Sequence, residues 1–333
     1  MASCRAPLIE NASSKRAFGV TGRLLVVGEA LVEVMRPHPG IPLDKPGPFA
    51  GPFPSGAPAI AADAAARAGA EVSLIAAVGD DPFGRLLVDR LSADGVDTSG
   101  VCVIHDAVTG VAFVAYDEAG GREFVFHVAD AAPSRIAPAD LGSAPEDTAW
   151  LHVSGSSLTL SESLAKAVLA TVERVLDAGG RVSFDPNLRA GSAGASVASL
   201  GYDRLMEVAS LLVPSERELE ALGTDADSVA RTGATVCETL GRDGARLHHD
   251  GAVTKVAGIP TQEVDPTGAG DTFSGTFLAA YMRSGDPVLA AHEANAVAAA
   301  HVSALGPMEG GSSTRGPVQA EHASPGHVDH EPL

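Results

Sequence analysis

The chain has 333 residues, of which 45% are hydrophobic and 20% charged, a balance that suits a folded globular protein and argues against a disordered or fibrous one. Its 23 Lys+Arg against 42 Asp+Glu leave a formal net charge of −19, which repels the phosphates of nucleic acid and of anionic lipid, so neither is expected as a partner. Cys4, Cys102 and Cys237 stand far apart with no C-x-x-C or Cys/His cluster, a pattern that offers no disulfide framework or zinc centre and suits a reducing cytoplasm. No run reaches the roughly 18 apolar residues of a membrane span, and the opening MASCRAPLIENASSKRAFGVTGR lacks the apolar core of a secretion signal.

In chain order, residues 1–22 are polar and aperiodic and are expected to be disordered, as is the tail 312–333 with His322, His327 and His330. Residues 23–30 (RLLVVGEA) read as a buried strand, 57–68 as a helix closed by Gly69, and 72–79 (VSLIAAVG) as a second strand. Asp81-Pro82 opens a helix that stops at Gly95, with the aspartate as cap and the proline in the first turn. Further on come a helix over 161–178, strands over 181–185 and 210–214, a helix over 216–222 and a strand over 234–240. This alternation predicts an α/β protein with a parallel sheet and helices on its faces. Two stretches break it, the Pro/Gly-rich 31–54 and 101–128, where GVAFVAY and REFVFHV flank the turn DEAGG. Both read as strands of a small antiparallel lid at the edge of the main sheet, and an exposed lid could pair two copies into a homodimer.

Most of the chemistry lies in QEVDPTGAGDTFSGTFLAAYM, residues 262–282. A strand is expected to end at Val264, a Gly-rich turn to follow, and a helix to begin near Ala269. At such a junction the amides of Gly268, Ala269 and Gly270 point outward, and the helix dipole adds positive potential, making an anion site. Asp271 sits beside it in the first helical turn. A carboxylate next to an anion hole suits phosphoryl transfer, with the base taking a hydroxyl proton while amides stabilise the transferred group. Neither G-x-x-x-x-G-K-[ST] nor a G-x-G-x-x-G after the first strand is present.

The string DPTGAGDTFSG resembles the C-terminal signature of the ribokinase-like (PfkB-type) carbohydrate kinases, and the resemblance runs in the family's order through a kinase domain at 23–311. SGAPAIAADAAARAG (55–69) resembles the family's N-terminal sugar-binding segment, and AAVGDDPFGRLLVDRLSADGVD (76–97) its G-x-D-x-x-G segment. FDPNLR (184–189) resembles a strand end of fructokinases and 2-keto-3-deoxygluconate kinases, VPSERELEAL (213–222) a magnesium-organising element, and TLGRDGA (239–245) a nucleotide-side loop. What the resemblance implies is a three-layer α/β/α sandwich with a mainly parallel central sheet and a small β-sheet lid, working with ATP and Mg2+.

Residue by residue, it implies Asp271 as general base with Gly268, Ala269 and Gly270 as the anion hole. Glu218 would act on magnesium, mostly through water, and Asp265 and Thr267 match positions that hold a monovalent cation, so potassium activation is expected. Asn187, Thr239, Gly241, Gly244, Gly268, Gly270 and Asn295 fall on the nucleotide side. Asp185 and Arg189 would sit near the phosphates or the sugar. Glu33, Ser55, Gly56, Ala57, His127 and Arg189, with Asp271, would meet the sugar.

Several positions depart from the family pattern. Ser55 replaces a glycine, Ile60 an asparagine, Glu33 an aspartate and Ser215 an asparagine. His127 stands near an arginine that grips the substrate carboxylate in 2-keto-3-deoxygluconate kinases, and an imidazole cannot reproduce that bidentate hold. The expected reaction is transfer of the γ-phosphate of ATP to a hydroxyl of a keto sugar of the fructose/tagatose type. Alternatives are a 2-keto-3-deoxygluconate kinase, a nucleoside kinase, or a non-catalytic sensor on the same fold. Elsewhere, Glu29 either seats the sugar or bonds a neighbouring loop, Asp80 and Asp81 read as folding residues, His248 and His249 as solvent-facing, and Trp150 as core.

Overall fold

The structure, a computed structural model, describes residues 22–138, 147–188 and 201–310. The terminal segments expected to be disordered, the tail histidines and Arg189 lie outside the described residues. The chain begins with β1 (Arg23–Val27), β2 (Leu31–Met35) and β3 (Ala50–Ser55), then enters α1 (Ala57–Arg67). There follow β4 (Val72–Gly79), α2 (Pro82–Ala93), β5 (Val96–Asp97), β6 (Val101–Ile104) and the hairpin of β7 (Gly110–Tyr116) and β8 (Arg122–His127). Next come β9 (Thr148–Ser154), α3 (Gly155–Leu160), α4 (Glu162–Asp177), β10 (Arg181–Asp185), α5 (Tyr202–Val208) and β11 (Ala209–Leu212). The last third holds α6 (Glu218–Ala221), α7 (Ala226–Ala230), β12 (Thr235–Thr239), β13 (Gly244–His249), β14 (Ala252–Ala257), α8 (Ala269–Ser284) and α9 (Pro287–His301).

A ten-stranded sheet runs β14-β13-β12-β11-β10-β9-β1-β4-β5, with β6 also on β4. It is parallel except at one edge, where β12, β13 and β14 form an antiparallel meander. The central strands are apolar on both faces because both are covered. In β1, Leu24 and Val26 join a core with α1, α2, α8 and α9, while Leu25 and Val27 join a second core with α4, α5 and α7. These two cores make the three-layer sandwich, and Trp150 is buried in the first of them, as expected. Asp81 caps α2, accepting from Phe83 and Gly84 amides, and its other oxygen accepts from Thr109 N, so its role is folding. Among the described residues no helix is long and apolar enough to cross a membrane.

The lid is a four-stranded sheet ordered β3-β2-β7-β8. It differs from the expected lid in two ways. β2 and β7 pair in parallel, because they continue from β1 and β6, which run the same way in the main sheet. Residues 101–104 form β6 in the main sheet and not a lid strand. The Pro-rich loop between β2 and β3 is organised by Arg36, 2% exposed, which donates to the carbonyls of Pro42, Lys45 and Pro48.

Four local expectations are also corrected. The first strand ends at Val27, and Glu29 beyond it is buried, accepting the hydroxyls of Ser156 and Ser157, so it bonds a neighbouring helix. The helix expected over 216–222 shrinks to α6, because the Glu218 carboxylate takes the Ser215 amide and Arg217 adopts a φ of 74°. No strand precedes the Gly-rich turn: the amides of Val264 and Asp265 both donate to the Val302 carbonyl at the end of α9. His248 is buried between Asp227 on α7 and Glu238 on β12, at 2.8 and 3.1 Å, because α7 covers that face of β13.

Candidate active site

The Gly-rich turn ends at Gly268, whose φ of 77° starts α8 in a left-handed conformation that glycine adopts at little cost. A Cβ at Gly268 would press on Ile60 and the Pro307 carbonyl, whereas one at Gly270 would meet nothing within 4 Å. Ile60, where the family pattern has an asparagine, therefore packs against the turn as an apolar backstop. The Ala269 amide is partly used within the turn, donating to Pro266 O at 3.3 Å. The first-turn amides of Gly270 and Asp271 have no acceptor inside the helix, the arrangement in which a helix N-terminus can receive an anion.

Asp271 is oriented by Asn187, whose Nδ2 donates to Asp271 Oδ1 at 3.1 Å. Asn187 stands just past β10 with a φ of 40°, and its amide donates to Asp185 Oδ1 at 3.0 Å. The other Asp185 oxygen accepts from Ser274 Oγ on α8 at 3.1 Å. Burial, and then the neighbouring Glu218 and Asp271 carboxylates, push Asp185 well above the usual carboxylate range. Glu218 is clamped in turn, its oxygens accepting from the amides of Leu188 at 2.7 Å and Ser215 at 2.6 Å. Ser215 thus contributes through its backbone, and loss of the family's asparagine amide leaves Glu218 in place.

A cleft of about 1030 Å³ joins these groups. Its walls bring together Asp271, Gly268, Ala269, Gly270, Asp185, Asn187, Glu218, Thr239, Gly241, Gly244 and Asn295. Asn295 acts on the wall itself, donating to Ala257 O at 2.7 Å at the end of β14. Arg122 on the lid and Arg242 also line the cleft, two cations that sequence reasoning missed although both stand beside glycine turns, GGR and LGRDG. Glu218 and Asp271 both act on Asp185 across this space, and these oxygen ligands are of the kind that magnesium takes. Among the described residues no group of three His, Cys, Asp or Glu side chains is placed to hold a metal ion.

The expected sugar residues lie elsewhere. Glu33, Ser55, Gly56, Ala57 and His127 are not among the residues lining the cleft. Ser55 Oγ donates to Glu33 Oε2 at 2.7 Å, and both side chains are buried where β2 pairs with β3. His127 is exposed at the end of β8, its ring edge-on to Phe113. Asp265 and Thr267 are buried behind the turn, in contact with the Tyr116 hydroxyl from the lid.

Residues 23–315 match the profile described as pfkB family carbohydrate kinase. The chain is 32% identical over 315 residues to a fructokinase of Salmonella typhimurium, covering 91% of this chain and 98% of that one. An E. coli structure described as a ribokinase II in complex with ATP and Mg2+ superposes with a TM-score of 0.79 at 35% identity, covering 87% of this chain and 96% of that one. A fructokinase from Vibrio cholerae O395, in a form with fructose, ADP and calcium bound, gives a TM-score of 0.75 at 28% identity, over 87% and 95% of the two chains. With the Gly-rich turn, Asp271 and the clamped Glu218 in one cleft and near-full-length relatives on both counts, the chain belongs to the pfkB family and is a carbohydrate kinase.

Proposed function

We propose that the chain transfers the γ-phosphate of ATP to a hydroxyl of a keto sugar of the fructose class. The observation that carries this is the Asn187–Asp271 hydrogen bond at the head of α8, which fixes a carboxylate in the wall of the cleft beside the first-turn amides. Asp271 takes the proton as the sugar oxygen bonds to the γ-phosphorus, the bond from that phosphorus to the β,γ-bridging oxygen breaks, and ADP leaves. Gly270 and the helix N-terminus balance the charge on the transferred group. Glu218 would hold a magnesium ion through water, and that ion would supply charge neutralisation for the nucleotide phosphates. His127, in place of a carboxylate-gripping arginine, and the fructose bound by the Vibrio relative both favour a neutral ketose.

The test is an ADP-release screen over fructose, tagatose, ribose, 2-keto-3-deoxygluconate and adenosine. The highest kcat/KM is expected on fructose or tagatose. Turnover confined to the sugar acid or to adenosine overturns the substrate class, and none on the whole panel supports a sensor. Pairing of two copies through the lid, whose outer strand β8 exposes Phe124 and Val125, is proposed alongside and is checked by sedimentation.

A further inference from the structure

Three elements meet behind the Gly-rich turn. Asp265 Oδ1 accepts from the Tyr116 hydroxyl at 2.8 Å and from Thr267 N at 3.0 Å, and Oδ2 accepts from Gly306 N at 2.9 Å. Tyr116 ends the lid strand β7, and its hydroxyl also hydrogen-bonds with Thr267 Oγ1. From the other side comes His301, the last residue of α9, which is 2% exposed. Its Nε2 lies 2.7 Å from the Thr267 carbonyl, which can only accept, so Nε2 carries the hydrogen and donates. Its Nδ1 lies 3.1 Å from Thr272 Oγ1, the residue after Asp271. With Nε2 donating to that carbonyl, the Thr272 hydroxyl can donate to Nδ1 in turn. The turn is therefore fastened to the lid by a phenol and to α9 by an imidazole, with Gly268–Asp271 between the two ties.

These same atoms decide whether a monovalent cation fits at Asp265 and Thr267. Such an ion is held by oxygens that turn lone pairs toward it in place of its hydration shell. Here the Asp265 carboxylate faces one O–H and two N–H donors, and the Thr267 carbonyl faces the imidazole N–H. Hydrogens carrying partial positive charge stand where the ion's ligands would have to open. The residues present do not fit a resident potassium ion, contrary to the expectation from family resemblance.

We infer that Tyr116 and His301 are positioning residues that hold the Asp265–Thr267 turn by hydrogen bonds, so that turnover needs no monovalent cation. The inference rests on the phosphotransfer reading above, and its test is chosen to fail separately. The full chain is assayed, and its thermal unfolding midpoint measured, with tetramethylammonium as the sole monovalent cation and again with potassium. Wild type should give the same kcat and the same midpoint in both. His301→Ala should lower kcat by about tenfold with KM for ATP nearly unchanged, as expected when an ordering contact and not substrate binding is lost. His301→Gln, whose amide can still donate to Thr267 O, should recover most of that loss, and Tyr116→Phe should lower kcat in the same way as His301→Ala.

A potassium-selective rise in the wild-type midpoint or in kcat overturns the inference. So does a folded His301→Gln no better than His301→Ala, or a Tyr116→Phe enzyme with wild-type kcat. If no sugar on the panel is turned over, the proposed function fails, while the midpoint comparison still decides whether the turn binds potassium.

Discussion

The Asn187 side-chain amide donates to Asp271 Oδ1 at 3.1 Å while its own backbone amide donates to Asp185 Oδ1 at 3.0 Å, so one residue ties the end of β10 to the start of α8. Removing the proposed base, Asp271→Asn, should lower kcat by roughly 10²- to 10⁴-fold, the range of general-base catalysis, and leave circular dichroism and nucleotide binding unchanged. Asn187→Gly keeps the left-handed backbone but removes the tie, and should cost about tenfold in kcat with an intact fold. Asn187→Ala should lose stability as well, because its φ of 40° strains a residue with a Cβ. Equal stability of the glycine and alanine variants would remove the backbone half of this account.

Glu33 and Ser55 depart from the family pattern together, and the structure pairs them at 2.7 Å. A longer carboxylate reaches the one hydroxyl that replaces a glycine. Ser55→Ala removes the hydroxyl that donates to a buried Glu33 oxygen and should cost about 1–3 kcal/mol in urea unfolding. The same change in a Glu33→Asp background should cost less, since the shorter side chain no longer depends on the hydroxyl. Additivity of the two substitutions to within about 0.5 kcal/mol would show that the pair is not coupled.

The parts most legible in the sequence were those set by local chemistry. Asp81-Pro82 announces the start of α2, and the Gly-rich turn announces the start of α8, because caps and left-handed glycines act within a few residues. The relations that span the chain were not legible. The parallel pairing of β2 with β7 follows from where two distant strands leave the main sheet, and no local pattern records it. Tyr116 and His301 look like an ordinary strand residue and an ordinary helix residue, and only folding brings them to Thr267 across 151 and 34 positions of sequence. His248 was misread for the same reason: its cover is supplied by Asp227, 21 residues away.

Gly275 in α8 lets two helices touch. A Cβ there would stand 2.1 Å from the Ala61 carbonyl of α1, a backbone atom that cannot swing aside. Gly275→Ala should therefore destabilise by about 1–3 kcal/mol or more despite alanine's better helix propensity. It should also lower activity, because α1 carries Ile60, the backstop of Gly268. A thermal midpoint equal to or above wild type would mean that the two helices separate without cost.

Asp63 on α1 makes the stability of this fold depend on pH near neutrality. Its carboxyl is buried, with Oδ1 reached by no donor, and lies in hydrogen-bond contact with Asp94 at the end of α2. Arg67 stands 3.4 Å from its other oxygen, and Arg90 faces the pair while reaching the Met308 carbonyl and Glu309. Burial first, and then Asp94, push Asp63 up from 3.8 to about 7, while Asp94 is held low by Asp63 and Arg90 despite its own burial. Between pH 3.8 and about 7 the folded chain holds a proton on Asp63 that the unfolded chain has released, so stability falls as pH rises through this window. The Asp94 shift works in the opposite sense but only at and below its ordinary range, so the fall between pH 3.8 and about 7 belongs to Asp63. Asp63→Asn supplies a neutral donor to Asp94 at every pH. It should flatten the fall in thermal midpoint toward neutrality and make the variant more stable than wild type above the window. A variant with the wild-type slope would place the titration elsewhere, and one less stable than wild type at alkaline pH would show that the Asp63 charge is favourable when buried.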